Sequence, residues 1–366
     1  MKLTRRTALT ALGGALAAPY IQPAWAAGRT VNIYNWSEYI GETTLADFEA
    51  ATGITPVYDL YASAEEMQAK MLAGSTGYDV VLQSGMSLPR LVQAGVYQKL
   101  DMSKLPNWAN LDPEILKIIE GFDPGHLYAV PYMWGSVGIT YNMDEVSKLL
   151  PDADLNDLGV LLNPETASVL AQCGISILDS PTDIGYMVMR YLGIDTDTAG
   201  PAEYARMVEA FKPMREYIAA FDNSNYLSGL PNGDVCVANS WSGDYSVALA
   251  RAKEAGIDIN LKYFVPKTGA PAWFDVWAIP ADAKNVAEAH EFMNFMMQPD
   301  IIAAATNYTG YANANKAAFP LVDPAISSNP AIYPDTETMS RLYTPATPTP
   351  EQNSEINRAW TEVKAG

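Results

Sequence analysis

The stretch VNIYNWSEYIGETTLADFEAATGITPVYDLYASAEEMQAKMLAGSTGYDVVLQ, residues 31–83, decides the fold class. Its apolar positions predict a strand over 31–35, a helix that ends at Gly53, and a second strand over 57–61. A second helical pattern follows, and then the continuous apolar run 78–83, which is typical of a strand covered on both faces. Strands that alternate with helices in this way indicate an α/β fold with parallel strands.

The middle of the chain contains segments that we expect to cross between two lobes. Residues 128–141 (YAVPYMWGSVGITY) form a long extended stretch with Pro and Gly inside, which is unusual for one strand in one sheet. The apolar run 259–265 is a candidate for a second crossing. Two α/β lobes would then enclose a cleft, where ligands bind near the carboxyl ends of strands. We assign residues 28–133 and 262–308 to lobe 1, and residues 134–261 and 309–366 to lobe 2.

The composition excludes several classes of function. The 366 residues include 23 Lys and Arg against 42 Asp and Glu, a net charge of −19. This balance argues against a nucleic-acid partner, whose phosphates need basic residues, and against anionic membrane surfaces. Two His and two Cys leave little for a metal site or a histidine-based catalytic relay. No phosphate-loop, HExxH, GxSxG or GxGxxG motif is present, so we expect no cofactor.

The first residues have the pattern of an export signal. Lys2, Arg5 and Arg6 precede a short apolar stretch, and a small-x-small site predicts cleavage after Ala26. The stretch TRRTAL resembles the twin-arginine export motif, although Ala8 stands where a bulky aromatic residue is usual, and the general secretory route is the alternative. Cleavage would lower the net charge from −19 to −22. We therefore expect a periplasmic protein.

Export changes how the two cysteines are interpreted. In an oxidising compartment Cys173 and Cys236 are a candidate disulfide, because both precede short apolar stretches that predict neighbouring strands. The alternative is two buried free thiols, which are common in protein cores.

Aromatic residues stand beside carboxylates at the ends of several predicted strands. Ring faces attract ammonium groups by about 0.5–2 kcal/mol per contact, and ammonium–carboxylate hydrogen bonds add about 1.5–3 kcal/mol each. The pattern therefore favours an organic cation as ligand. Core packing of the rings, with Ser242 and Asp244 capping a helix, is the alternative. A sugar-binding protein or an exported two-carboxylate hydrolase would also use such residues. The clusters are 35–39, 241–244, 273–275 and 307–311.

These residues lie in longer stretches that resemble the periplasmic polyamine-binding proteins of ABC importers, over about residues 31–360. The resemblance implies a bilobal type II periplasmic-binding-protein fold, two α/β lobes joined by hinge crossovers. It also implies a monomer without catalytic activity, which captures putrescine or spermidine and delivers it to an inner-membrane permease complex. The stretches that carry it are IYNWSEYI (33–40), KMLAGSTGYDVV (70–81), AGVYQKLDMSKLPNWANLDP (94–113), VPYMWGSVGITYN (130–142), NGDVCVANSWSGDYSVALARAKEAG (232–256), WFDVWAIPADAKN (273–285) and YANANKAA (311–318).

The resemblance also implies a set of ligand-binding residues. Asp275 would hold one amine and Asp183 another, with Asp183 shorter than the Glu that the family usually has there. Cys173 and Cys236 match a disulfide found in part of the family. The segment 344–350 departs from the family pattern. The residues implied to bind ligand are Trp36, Ser37, Glu38, Tyr39, Ser84, Asp183, Trp241, Asp244, Trp273, Asp275 and Tyr311.

The sequence distinguishes only weakly between spermidine and putrescine as the ligand. Spermidine receptors of this family tend to have Trp and Glu where Trp273 and Glu38 stand, whereas putrescine receptors tend to have Phe and Asp. Against this, Ser180 and Met86 supply no charge where spermidine receptors often have polar or acidic partners. We expect a slight preference for spermidine, or use of both ligands.

Overall fold

The computed structural model describes residues 28–37, 39–61 and 63–366, with the side chain of residue 65 excepted. The strands in these ranges are β1 (Thr30–Trp36), β2 (Thr55–Tyr61), β3 (Val80–Ser84), β4 (Ala129–Asn142), β5 (Ile175–Ile177), β6 (Ala220–Phe221), β7 (Val237–Trp241), β8 (Leu261–Phe264), β9 (Ala270–Ala278), β10 (Ala312–Asn313) and β11 (Leu342–Tyr343). The α-helices are α1 (Thr44–Thr52), α2 (Ala64–Ala73), α3 (Leu88–Gln93), α4 (Pro113–Ile119), α5 (Met143–Leu149), α6 (Gly159–Leu162), α7 (Pro164–Leu170), α8 (Tyr186–Tyr191), α9 (Pro201–Phe211), α10 (Tyr226–Asn232), α11 (Ser242–Glu254), α12 (Val286–Met296), α13 (Pro299–Thr309), α14 (Pro324–Ser327), α15 (Thr336–Arg341) and α16 (Pro350–Ala365). The export signal expected over residues 1–26 lies outside the described residues.

The first β-α-β-α-β unit has the order that the sequence predicts. β1 pairs in parallel with β2 on one side and with β3 on the other. Gly53 ends α1 in the left-handed conformation, with φ of 67°, which glycine adopts without steric cost. Ser63 caps α2 by accepting a hydrogen bond from the backbone N–H of Glu66.

The parallel pairing of the first unit does not continue through the centre of the molecule. β9 runs antiparallel to both β3 and β4, so a parallel group at each end flanks an antiparallel middle. β4 spans that middle: its first half, through Ser136, pairs with β9, and its second half, from Val137, pairs with β7. The predicted crossing over residues 128–141 is therefore confirmed.

The second predicted crossing, over residues 259–265, is wrong. β8 pairs with the second half of β4, and Leu261 and Val265 pack in the same core as Val137. The chain crosses after β8, on its way into β9, whose partners are β3 and the first half of β4. A short apolar strand pattern reports burial but not which sheet the strand joins.

Two large cores support the two lobes. The first contains Ile33 and Phe292, and the second contains Val137 and Trp360. The lobe boundaries drawn from the sequence stay a prediction, and we propose to move two of them. The second core extends through Val265, and residues 312–333 pack mainly with the first lobe, through the first core and the adjoining cluster around Trp134.

Cys173 and Cys236 form a disulfide, with their Cα atoms 5.4 Å apart, as expected for an oxidising compartment. The bridge joins the turn after α7 to the residue that precedes β7, inside the second lobe. Among the described residues, no helix has the length and apolar character needed to cross a membrane.

Candidate functional site

Asp275 is a buried carboxylate at the centre of the molecule. It lies on β9 opposite Ser84, the last residue of β3, in an antiparallel pair. The residue is 8% exposed, and burial raises the pKa of its carboxyl group to about 7. The Tyr39 hydroxyl lies near enough to lower that pKa, but it is not placed for a full hydrogen bond with any described residue. The ionised form of Asp275 is thus poorly compensated by the protein itself.

Three aromatic rings form a wall beside this carboxylate. The Tyr311 ring contacts Tyr39 edge-on at 5.5 Å between centroids and Trp273 edge-on at 5.2 Å. Trp273 packs against both large cores, which places it at the junction of the lobes. Edge-to-face contacts of this kind stabilise the ring orientations.

Asp244 is held by two tyrosines. Its carboxylate accepts hydrogen bonds from the Tyr311 hydroxyl, at 2.6 Å, and from the Tyr226 hydroxyl. Burial raises the pKa of Asp244, although these hydroxyls and the charge of Arg251 lower it in part. The helix-capping alternative is wrong for this side chain, because α11 begins without a side-chain cap and the carboxylate faces the tyrosines instead.

Asp183 is the third carboxylate of the candidate site, after Asp275 and Asp244. It lies in a π-helical turn, Pro181–Gly185, just before α8, and such turns are frequent at functional sites. The Trp241 indole Nε1 donates a hydrogen bond to its carboxylate at 3.1 Å. Burial raises the pKa of Asp183 to about 6, although the residue keeps some contact with solvent, as expected for a group deep in a cleft.

The three carboxylates are linked through tyrosines. Tyr263 feels the negative charges of both Asp183 and Asp244, and Tyr311 feels those of Asp244 and Asp275. Within the described residues, none of the three carboxylates forms an ion pair with Lys, Arg or His. No group of three or more His, Cys, Asp or Glu in the described chain is arranged to hold a metal ion. Buried anions without internal cations, separated by rings, are complementary to an extended ligand with several positive charges.

The family model of the bacterial extracellular solute-binding proteins matches residues 43–334. This chain belongs to that family. It is 43% identical over 357 residues to the putrescine-binding periplasmic protein PotF of Escherichia coli K12, a match that covers 97% of this chain and 96% of the relative. It is 46% identical over 340 residues to the putrescine-binding periplasmic protein SpuD of Pseudomonas aeruginosa UCBPP-PA14, covering 92% of each chain.

A solved structure supports the same assignment. The spermidine/putrescine ABC transporter substrate-binding protein PotD of Streptococcus pneumoniae superposes on this solute-binding protein with a TM-score of 0.79 and 27% identity. The superposition covers 92% of this chain and 99% of that protein. The predicted bilobal solute-binding fold of type II is confirmed by this similarity.

Two glycines allow the aromatic wall of this solute-binding protein to form. A Cβ atom at Gly243 would lie 2.2 Å from the Tyr311 ring, and one at Gly135 would lie 2.5 Å from the Trp273 ring. The rings therefore lie directly against backbone, on α11 and β4 respectively. A larger residue at either position would displace a ring that the site depends on.

The four remaining predicted residues, Ser84, Trp36, Ser37 and Glu38, differ in where they lie. Ser84 faces Asp275 across the β3–β9 pair, as described. Trp36 contacts the Tyr61 ring at 4.4 Å, and Tyr61 feels the charge of Asp275, so Trp36 lies one ring away from that carboxylate. Ser37 is exposed in the turn after β1, and Glu38 lies outside the described residues.

Sequence reasoning missed two residues of the site. Tyr226 lies on α10 and Tyr263 on β8, and each resembled an ordinary core aromatic in the sequence. The one usable signal was Gly138 on β4, where a Cβ atom would lie 2.4 Å from the Tyr263 ring. A glycine in a strand marks a close approach but does not say what approaches.

Proposed function

We propose that this protein is a periplasmic receptor that captures polyamines, spermidine and putrescine, between its two lobes and delivers them to an ABC importer of the inner membrane. The observation that carries the proposal is the set of three buried carboxylates that have no ion-pair partner in the described part of the chain and are linked by aromatic rings. A polyamine supplies ammonium groups for such carboxylates and methylenes for the rings. Each buried methylene adds about 0.8 kcal/mol to binding.

Each of the three carboxylates contacts a different part of the ligand in this proposal. Asp275 holds the ammonium at one end, beside Tyr39 and Ser84. Asp183 holds the ammonium at the other end, and Asp244 lies between them with Tyr311 already hydrogen-bonded to it. Trp273 and Tyr311 line the methylene chain. The remaining contacts that we propose are Trp36, Ser37, Glu38 and Trp241.

The cellular setting follows from the same proposal. PotF and SpuD are named as periplasmic binding proteins, which supports export of this chain. We propose that the export signal is cleaved after Ala26. We propose that the mature chain acts as a monomer, without a cofactor and without catalytic turnover. Its partner is a permease complex that accepts the loaded, closed form.

Isothermal titration tests the function directly. We expect putrescine and spermidine to bind with one site per chain and to compete with each other, and cadaverine and agmatine to bind more weakly. Maltose should give no heat, because a sugar cannot neutralise the buried carboxylates. Binding of maltose without polyamine binding would replace the proposal with a sugar receptor.

Replacement of Trp273 by Phe is expected to weaken spermidine binding about fivefold more than putrescine binding. The indole is the better cation–π partner and covers more methylene surface, and spermidine carries an additional internal ammonium, so it loses about 1 kcal/mol more. Competition titrations of both ligands on the parent and the variant measure the difference. An equal loss for both ligands would identify Trp273 as a general wall without a role in ligand choice.

A further inference from the structure

The chain crosses between the lobes a third time, through residues 342–349, which we call the strap. Before the strap, Met339 packs in the cluster around Trp134, on the first lobe. After it, α16 packs in the second core through Ile356 and Trp360. Within the strap, β11 pairs in parallel with Ala270 and Pro271 at the start of β9.

The strap is fastened to the second lobe by several contacts. The backbone N–H of Ala346 donates a hydrogen bond to the Asp197 carboxylate at 2.9 Å. Gln352, on the first turn of α16, donates to the Asp197 carbonyl at 3.2 Å. The Arg190 guanidinium lies 4.5 Å from the centroid of the Tyr343 ring. Prolines at 345 and 348 fix φ at two positions, so the part of the strap after β11, residues 344–349, is expected to move with the second lobe as a stiff segment.

The strap contacts the first lobe at its start, where Leu342 packs against the cluster around Trp134, and again through the side chain of Thr347. The Thr347 hydroxyl Oγ1 donates a hydrogen bond to the backbone carbonyl of Met86 at 2.7 Å. Met86 lies in the 3-10 turn Gly85–Ser87, which directly follows Ser84. The Ser87 hydroxyl donates to the Ser84 carbonyl at 2.9 Å, so the turn is tied to the residue that faces Asp275.

We propose that Thr347 is a positioning residue that latches the strap onto the turn of Ser84 when the lobes close. The proposal rests on the proposed function of the cleft. Because residues 344–349 of the strap move with the second lobe and the turn belongs to the first, opening of the cleft breaks the Thr347–Met86 hydrogen bond. A contact that exists only in the closed form stabilises that form and slows ligand release. It has little effect on the first encounter of the ligand with the open form.

Three variants test the latch. Thr347→Val removes the hydroxyl and keeps the branched shape, whereas Thr347→Ser keeps the hydroxyl. Thr344→Val makes the same change at a strap residue whose hydroxyl forms no hydrogen bond with the described residues. Stopped-flow fluorescence measures association and release of putrescine and spermidine. For Thr347→Val we expect release about fivefold faster, the effect of one neutral hydrogen bond, with association within about twofold of the parent. Thr347→Ser should restore slow release. Equal release rates in Thr347→Val and the parent, or an equal effect in Thr344→Val, would overturn the latch.

A crosslinking measurement separates the latch from the proposed ligand. The double variant Met86→Cys, Thr347→Cys is treated with a short bis-maleimide in the absence of polyamine. The reagent reacts irreversibly, so the crosslinked product accumulates each time the empty protein samples the closed form. We expect an intramolecular crosslink by intact mass, and much less of it in Met86→Cys, Ser354→Cys, whose second cysteine lies on α16. A crosslink in a protein that binds no polyamine would support the latch and contradict the proposed ligand. Absence of the crosslink would contradict the latch whatever the protein binds.

Discussion

Replacement of Asp275 by Asn is expected to reduce the affinity for putrescine and spermidine at least a hundredfold. The carboxylate is buried on β9 and has no ion-pair partner among the described residues, so the ligand ammonium is its proposed counter-ion. Removal of one partner from a buried charge pair costs about 3–5 kcal/mol, because the other charge is left uncompensated. The amide of Asn keeps the shape and loses the charge. Isothermal titration at pH 8 measures the change.

The same substitution should not destabilise the ligand-free protein. Burial raises the pKa of Asp275 to about 7, which means that the folded protein without ligand holds the ionised carboxyl at a cost in stability. Asn removes this cost, so the thermal midpoint of the empty variant at pH 8 should equal or exceed that of the parent. Asp258→Asn, the same change at an exposed carboxylate, serves as the charge control and should leave binding unaltered. Parent-like affinity in Asp275→Asn would show that the amine lies elsewhere.

Several features of the site could be predicted from sequence because they are local. Asp275 and Asp244 each stand beside an aromatic residue at a predicted strand or helix end, and the structure places both carboxylates next to Tyr311. The first parallel unit and the crossing in β4 were also predicted, since residue periodicity and a long extended run report on single segments.

The features that could not be predicted depend on contacts between distant segments. Tyr263 approaches Gly138 across an antiparallel pair of strands, more than a hundred residues apart in sequence. Periodicity gives the face that a strand buries but not the neighbour it pairs with or the direction of that pairing. For this reason the antiparallel placement of β9 and the true position of the second crossing appeared only in the structure.

The affinity for polyamines is expected to fall roughly a thousandfold between pH 8 and pH 5. Ligand binding requires ionised carboxylates, and the pKa values are about 7 for Asp275 and about 6 for Asp183. At pH 5 both groups are protonated in the empty protein, and each must lose its proton before the ligand binds. This lowers the affinity roughly a hundredfold for Asp275 and roughly tenfold for Asp183. The ligand amines stay charged over the whole range, since alkylammonium groups have pKa values near that of lysine, about 10.

Stability should change with pH in the opposite sense for the empty protein. A carboxyl group whose pKa is raised by folding stabilises the folded protein fully at pH values below the pKa that the group has in the unfolded chain, near 4. This contribution is lost as the pH rises through the folded-state pKa values of about 6 and about 7. The ligand-free protein therefore loses stability over the window in which it gains affinity. The rise in thermal midpoint caused by saturating putrescine should accordingly grow from pH 5 to pH 8.

Titrations at a series of pH values, on the parent and on Asp183→Asn, separate the two carboxylates. The variant binds more weakly at pH 8, and only protonation of Asp275 still lowers its affinity as the pH falls. Its affinity should therefore change about tenfold less between pH 8 and pH 5 than that of the parent. The unequal steps follow from unequal hydrogen bonding, because the Asp183 carboxylate accepts a hydrogen bond from Trp241 while Asp275 lacks a full one among the described residues. A flat pH profile in the parent would mean that the carboxylates are ionised throughout, and that burial does not control capture of the ligand.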